Sequence, residues 1–228
     1  MFLRRLLPPA LAAAAALALV PAALASSSSC GRADYSYAGF DSPWRAFGVG
    51  ARIAALAPPH VISGHVAGWV GLGGPGLGPH GSDEWIQVGL SADDVTGEVN
   101  TIYYEVTWPS SGPVYFPVQT VRPGVAHRLA VLEMVHQRSW WRVWVDGRAV
   151  SKPIHLPASH GAWWPEATAE SWNGGNTGVC NTYAYRFSNV RIARGPGGAW
   201  RGLGRGARYQ DPGYRVEGGP SRFLAASG

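Results

Sequence analysis

Glu166 and Glu170 stand four residues apart in Glu166-Ala167-Thr168-Ala169-Glu170. In an extended strand both carboxylates share one face, with Thr168 between them. Trp163, Trp164 and Trp172 flank the run. Aromatic surface desolvates a carboxylate and raises its pKa, which suits a group that takes or gives protons. A solvated strand face carries the same pattern, so both readings stand. Gln87 is the second candidate, set between Ile86 and Val88 in the apolar run Trp85–Leu90. A buried amide without partners costs about 1–3 kcal/mol. Gln87 is either a satisfied structural residue or an amide aimed into a cleft, where it can polarise a carbonyl. Glu105 has the opposite parity to Tyr104 and Val106, so it faces solvent or lines a polar cleft.

Other chemistries lack their residues. His60, His65, His80, His127, His136, His155 and His160 show no paired metal-ligand spacing, and Cys30 and Cys180 are too far apart to suggest zinc. No metal and no cofactor is expected. There is no G-x-S-x-G nucleophile motif, and no glycine loop leads into a helix to cradle a phosphate.

The elements that position these residues are strands. No segment keeps helical periodicity over three turns. Runs rich in Val, Ile, Tyr and Trp, broken by Gly, Pro, Asn and Asp, predict strands over residues 49–56, 65–72, 84–90, 101–107, 114–118, 127–135, 140–146, 149–156, 167–172 and 183–192. Asp146-Gly147 predicts a type I′ hairpin between two of them. About ten short strands imply an all-β, antiparallel two-sheet sandwich of jelly-roll or concanavalin A-like type. In the 140–145 run, Trp141, Val143 and Val145 form the core face. Trp140 and Trp144 flank Arg142 on the other, which is a ligand-facing surface or a face covered by a loop.

Residues 1–25 read as a secretory signal peptide: Arg4 and Arg5, the apolar run Leu11–Val20, then Ala23-Leu24-Ala25. A secreted, extracellular product follows, with no membrane attachment after cleavage. Cys30 and Cys180, the only two cysteines, are then expected to form one disulfide. The formal charge of +5 comes from the leader and the tail; residues 26–194 carry 12 basic and 12 acidic side chains. That balance gives no basic stripe, so no nucleic-acid partner is expected. Residues 26–194 form the predicted sandwich domain. Residues 195–228, glycine- and arginine-rich, read as a flexible tail. A monomer is expected.

With these motifs in place, the chain resembles the glutamic peptidases (eqolisins), secreted acid proteases built as two seven-stranded antiparallel sheets. Trp69-Val70-Gly71-Leu72-Gly73-Gly74 resembles that family's W-V-G-I-D-G. Ile86-Gln87-Val88-Gly89-Leu90 resembles its L-Q-T-G-V. Tyr104-Glu105-Val106-Thr107-Trp108-Pro109 resembles its Y-E-W-Y-P with one extra residue, and Ala169-Glu170 its A-E-W. The order holds over residues 37–193. The resemblance implies Gln87 and Glu170 as catalytic residues. It implies a polypeptide substrate bound by Trp69, Glu105, Tyr37, Gly39, Glu166 and Trp172. The chain departs from the family at three points. Tyr37-Ala38-Gly39 stands for W-G-G, Gly73 replaces the aspartate, and Ser171-Trp172-Asn173-Gly174 replaces the segment with a second glutamate.

Two other function classes fit the same residues. Glu166-x-Thr168-x-Glu170 has the spacing of the E-x-D-x-E strand of sandwich glycosidases without its aspartate, and eleven tryptophans suit sugar stacking. A non-catalytic binding module on the same sandwich is the third.

Overall fold

The computed structural model describes residues 34–228. The expected signal peptide and Cys30 lie outside the described residues. The strands, in chain order, are β1 Ser36–Asp41, β2 Gly48–Ala55, β3 His65–Gly74, β4 Glu84–Asp93, β5 Asn100–Thr107, β6 Val114–Val121, β7 His127–Glu133 and β8 Trp140–Val145. They continue as β9 Arg148–Ala149, β10 Ile154–His155, β11 Pro165–Trp172, β12 Ala184–Gly195, β13 Gly198–Gly202, β14 Ala207–Gln210, β15 Tyr214–Gly219 and β16 Arg222–Ser227.

Two antiparallel sheets form a sandwich. The front sheet runs β14-β1-β11-β3-β4-β5-β6, and the back sheet runs β10-β8-β7-β2-β12-β16-β15, with β13 on β12 and β9 on β8. The period-2 alternation assigns the inner faces. Val66, Val70 and Leu72 of β3, Ile86, Val88 and Leu90 of β4, and Ala167 and Ala169 of β11 point inward and are buried. Trp141, Val143 and Val145 of β8 meet them from the back sheet, beside Tyr185, Phe187 and Phe223. Each large apolar side chain buried this way contributes about 1.5–3 kcal/mol.

Asp146 and Gly147 both take positive φ, 49° and 85°, as a type I′ turn requires. The strand expected after them over residues 149–156 is interrupted: only β9 and β10 pair with β8. Pro153 between them has no N–H to give to a ladder.

The tail expectation fails. Residues 198–227 hold four strands. β14 pairs with β1, β13 and β16 with β12, and β15 with β16. Tyr214, Val216, Phe223 and Ala225 are buried. The glycines that suggested disorder sit where the chain turns, at positive φ in Gly197, Gly204, Gly213 and Gly218.

Neutral composition hides a segregation of charge. The outer face of the front sheet carries Asp41, Asp93, Glu105, Glu166 and Glu170. Cross-strand register puts Arg52, Arg128, Arg142, Arg191 and Arg222 on the outer face of the back sheet. The absence of a basic stripe, inferred from the total, is thus corrected: charges that cancel in the sum stand on opposite faces.

Candidate functional site

Register builds the site row by row on the outer face of the front sheet. One row reads Tyr37, Glu170, Ala67 and Ser91 across β1, β11, β3 and β4. The next reads Tyr209, Gly39, Thr168, Trp69, Gly89 and Tyr103. The third reads Asp41, Glu166, Gly71, Gln87, Glu105 and Tyr115. All the expected site residues of β1, β3, β4, β5 and β11 therefore share one face. Gln87 is not embedded among Ile86 and Val88. They point into the core while it points outward with Trp85, Gly89 and Ser91.

Gln87 and Glu170 are each only 7 % exposed, so each needs partners. Glu170 Oε2 accepts from Trp69 Nε1 at 2.8 Å, and His65 Nε2 stands 3.4 Å from its Oε1. Gln87 Nε2 donates to the Tyr103 hydroxyl at 3.0 Å. No direct hydrogen bond joins the two. They lie two strands apart and four residues out of register, about 16 Å between Cα atoms at ideal strand spacing. Trp69 occupies the middle of that diagonal, one row from each. Its indole fits because its neighbours are small. A Cβ on Gly89 would lie 2.6 Å from Trp69 Cβ, and one on Gly71 would lie 3.1 Å from the indole and 2.8 Å from Gln87 Cβ.

A cavity of ≈ 160 Å³ opens beside Glu170, lined by His65, Ser91, Asp93, Tyr103, Glu105 and Tyr115 among others. Tyr103 and Tyr115 stack with ring centroids 5.0 Å apart, and the Tyr115 hydroxyl is 2.9 Å from Ser91 Oγ. Glu105 lines this cleft rather than facing solvent, and accepts from Trp85 Nε1 at 3.0 Å. Trp172, His65, Tyr35 and Tyr37 form an aromatic cluster at one end, with Tyr35 6.1 Å from Trp172 and 6.0 Å from Tyr37.

Burial pushes the Glu166 carboxyl up to about 7, with the charges of Asp41 and Glu170 adding to it. Burial also raises Glu105, against the Trp85 hydrogen bond that favours its charged form. For His65, burial disfavours the imidazolium. The Glu170 hydrogen bond and the charges of Glu170, Glu105 and Asp93 outweigh it, and the net shift is upward. Tyr37 and Tyr103 are raised by burial first and by the nearby carboxylates second, so both stay hydroxyl donors.

Some residues expected near the carboxylates are elsewhere. Trp163 is buried between the sheets and stacks on Trp141 at 6.3 Å, while Trp164 is exposed beneath Arg45. A Cβ on Gly39 would lie 2.3 Å from Ala167 O, so the close approach of β1 to β11 demands glycine there. Gly73, where the resembled motif has aspartate, has φ 96°, and a Cβ would lie 2.3 Å from Glu84 O. This backbone excludes the aspartate. His65, Tyr103, Tyr115, Ser91 and Asp93 were not singled out from sequence. Stepping by two from Trp69, Glu105 and Gln87 along their strands reaches His65, Tyr103 and Ser91.

Among the described residues no group of three or more His, Cys, Asp or Glu is placed to hold a metal ion. No helix among them is long and apolar enough to cross a membrane.

No family model and no curated protein matches this sequence. Solved structures do. One is scytalido-glutamic peptidase with a peptide-based transition-state analogue: TM-score 0.61 and 14 % identity, over 85 % of this chain and 98 % of that one. The same enzyme with another transition-state analogue inhibitor gives 0.58 and 12 %, over 84 % and 98 %. SCP-B, a member of the eqolisin family in complex with the tripeptide Ala-Ile-His, gives 0.57 and 13 %, over 85 % and 98 %. At these identities the likeness establishes the sandwich fold.

Proposed function

We propose that this protein is a secreted acid endopeptidase of the glutamic type. The observation that carries the reading is the outer face of the front sheet, where Glu170, Trp69 and Gln87 line up along one diagonal and Tyr103 stands beside Gln87. Glu170 takes a proton from water, and the water oxygen adds to the peptide carbonyl carbon. The carbonyl oxygen becomes an oxyanion. An amide nitrogen has two N–H donors; Tyr103 takes one of Gln87's, and the other meets the oxyanion. A donor so placed is worth about 3–4 kcal/mol. The C–N bond then breaks as Glu170 gives that proton to the nitrogen, and the amine leaves. Trp69 and His65 orient Glu170 through its two oxygens. An extended substrate lies over Tyr37, Gly39, Glu105, Glu166 and Trp172.

Residues 1–25 serve as the secretory signal in this reading, and Cys30 pairs with Cys180. The glycosidase reading fits less well. Its strand motif carries an aspartate between the two glutamates, and Thr168 stands in that place.

The test is cleavage of denatured protein across the acidic range with chelator present. Wild type should cleave, and Gln87→Ala and Glu170→Gln should each lose activity by about a hundredfold or more. Full activity in either variant overturns the assignment. An inert wild type that binds glycans moves the reading to the binding module.

A further inference from the structure

A second cavity lies away from the candidate catalytic face. It measures ≈ 300 Å³ and opens on the outer face of the back sheet. A single cross-strand row makes it: Trp144 of β8, Ala130 of β7, Gly50 of β2 and Arg191 of β12. Ala130 and Gly50 form a floor without bulk. Trp144 stands at one end. Arg191 stands at the other, with its guanidinium 5.7 Å from the ring centroid of Trp200. Volume of this order is the lower range for a small-ligand site.

Three features of the groove point to an anion. First, the neighbouring row sets Arg128 directly opposite Arg52, and continues through Ser188 to Arg222. Like charges directly opposed across a sheet destabilise it. Second, the nearby carboxylates make no ion pair with these guanidinium groups. Asp146 is bonded to His127 Nδ1 at 2.8 Å and to the Arg128 backbone N–H. Glu217 is bonded to Arg215. Among the described residues, the guanidinium groups of Arg52, Arg128, Arg191 and Arg222 have no hydrogen bond or ion pair. Third, the indole N–H of Trp144 is buried without a hydrogen-bond partner. An orphan donor of this kind costs about 1–3 kcal/mol unless an acceptor reaches it.

We propose that this groove binds a carboxylated polysaccharide, a chain of uronic acid residues, on the face opposite the proposed peptidase site. A uronate supplies what the wall lacks. Its carboxylate accepts from a guanidinium fork, and its ring hydroxyls meet the Trp144 N–H. Adjacent strands are about 4.8 Å apart, close to the rise of one pyranose in an extended chain. A uronate polymer laid across β16, β12, β2 and β7 meets Arg222, Arg52 and Arg128 on three of those strands and Ser188 on β12. Single-stranded nucleic acid needs free ring faces for its bases. Here the Trp200 ring has Arg191 over it and Trp144 is half-buried, so base stacking is disfavoured.

The experiment is calorimetric titration of the full chain with hexagalacturonate at low salt and about pH 5, where arginine and uronate are both charged. Wild type should bind. Arg191→Ala and the pair Arg52→Ala/Arg128→Ala should each weaken binding by about tenfold or more. Trp144→Phe, which keeps the ring and removes the donor, should weaken it by about fivefold. Thermal unfolding of each variant separates a lost site from a lost fold. Maltohexaose, the neutral control, should not bind. The proposal is overturned by no heat with hexagalacturonate, by equal binding of maltohexaose, or by well-folded arginine variants that bind as wild type does. Tighter binding of oligothymidylate than of the saccharide also overturns it, in favour of a nucleic-acid surface.

Discussion

Trp69 donates its indole N–H to Glu170 Oε2 at 2.8 Å, which ties β3 to β11 at the centre of the acidic face. The bond fixes one carboxylate oxygen and leaves the other to His65 and the cavity. Trp69→Phe keeps most of the ring and removes the donor. It should lower kcat of the proposed peptidase by about tenfold or more with little change in KM, and cost about 1–3 kcal/mol of stability, because Glu170 is buried. Steady-state kinetics beside urea unfolding checks both. An unchanged kcat would remove Trp69 from the positioning of Glu170.

Stability should peak in mildly acidic solution. Glu166 rises from an ordinary 4.5 to about 7 in the fold, so the folded state holds its proton more tightly. Stability therefore falls as pH rises from about 4.5 to 7, by on the order of 2–3 kcal/mol from this residue. His65, raised above 6.5, adds a contribution that is present in acid and lost as pH rises through its folded value. Asp93 and Asp146 are lowered from 3.8: burial opposes this, but hydrogen bonds from Thr96 and Val95 and from His127 and Arg128 prevail. Their contribution is present above 3.8 and lost as pH falls through the folded values. Unfolding temperature measured over the acidic and neutral range should show the peak. Glu166→Gln should flatten its high-pH side.

The C-terminal strands are integral to the fold. Phe223 of β16 stacks on Phe187 with centroids 4.4 Å apart and packs edge-on to Phe40 at 5.0 Å. Phe223→Ala should cost about 3–5 kcal/mol. Removal of residues 196–228 should abolish the cooperative unfolding transition. A truncated chain that unfolds at the wild-type temperature would refute this.

Cys180 is expected to pair with Cys30. Intact mass of the purified protein should be lower by two hydrogens than the reduced chain, and alkylation without reductant should add nothing. Reduction should cost about 4–5 kcal/mol in the chain-entropy account. Two alkylated thiols in the untreated protein would rule the bond out.

The sandwich was legible because its central strands alternate plainly. The runs around Val70, Val88, Val131 and Val143 all become ladders, and the 140–145 run keeps its expected inner face. What escaped was held by pairing rather than by pattern. Ser36–Asp41, interrupted by Gly39, and Ala207–Gln210, preceded by Gly206, are short, and each is ordered by its neighbour in the front sheet. The site was legible as residue types but not as distances. Gln87, Glu105 and Glu170 were readable one by one. That Trp69 lies between Gln87 and Glu170 depends on a register linking three strands. Charge misled for a related reason, since a sum carries no direction.

Tyr37, at the edge of the acidic face, gives its backbone N–H to Asp211 Oδ2 at 2.8 Å, and its carbonyl accepts from the Asp211 N–H at 2.9 Å. The front sheet thus begins with a strand from the start of the described chain and is finished by β14, from near its end. During synthesis β1 and β3 are made long before β14, and the back sheet waits for β16. The acidic groove can therefore reach its final form only after β14 has been made. A nascent chain, or one cut short by a premature stop, carries Glu170 and Gln87 but not the finished sheet that holds them.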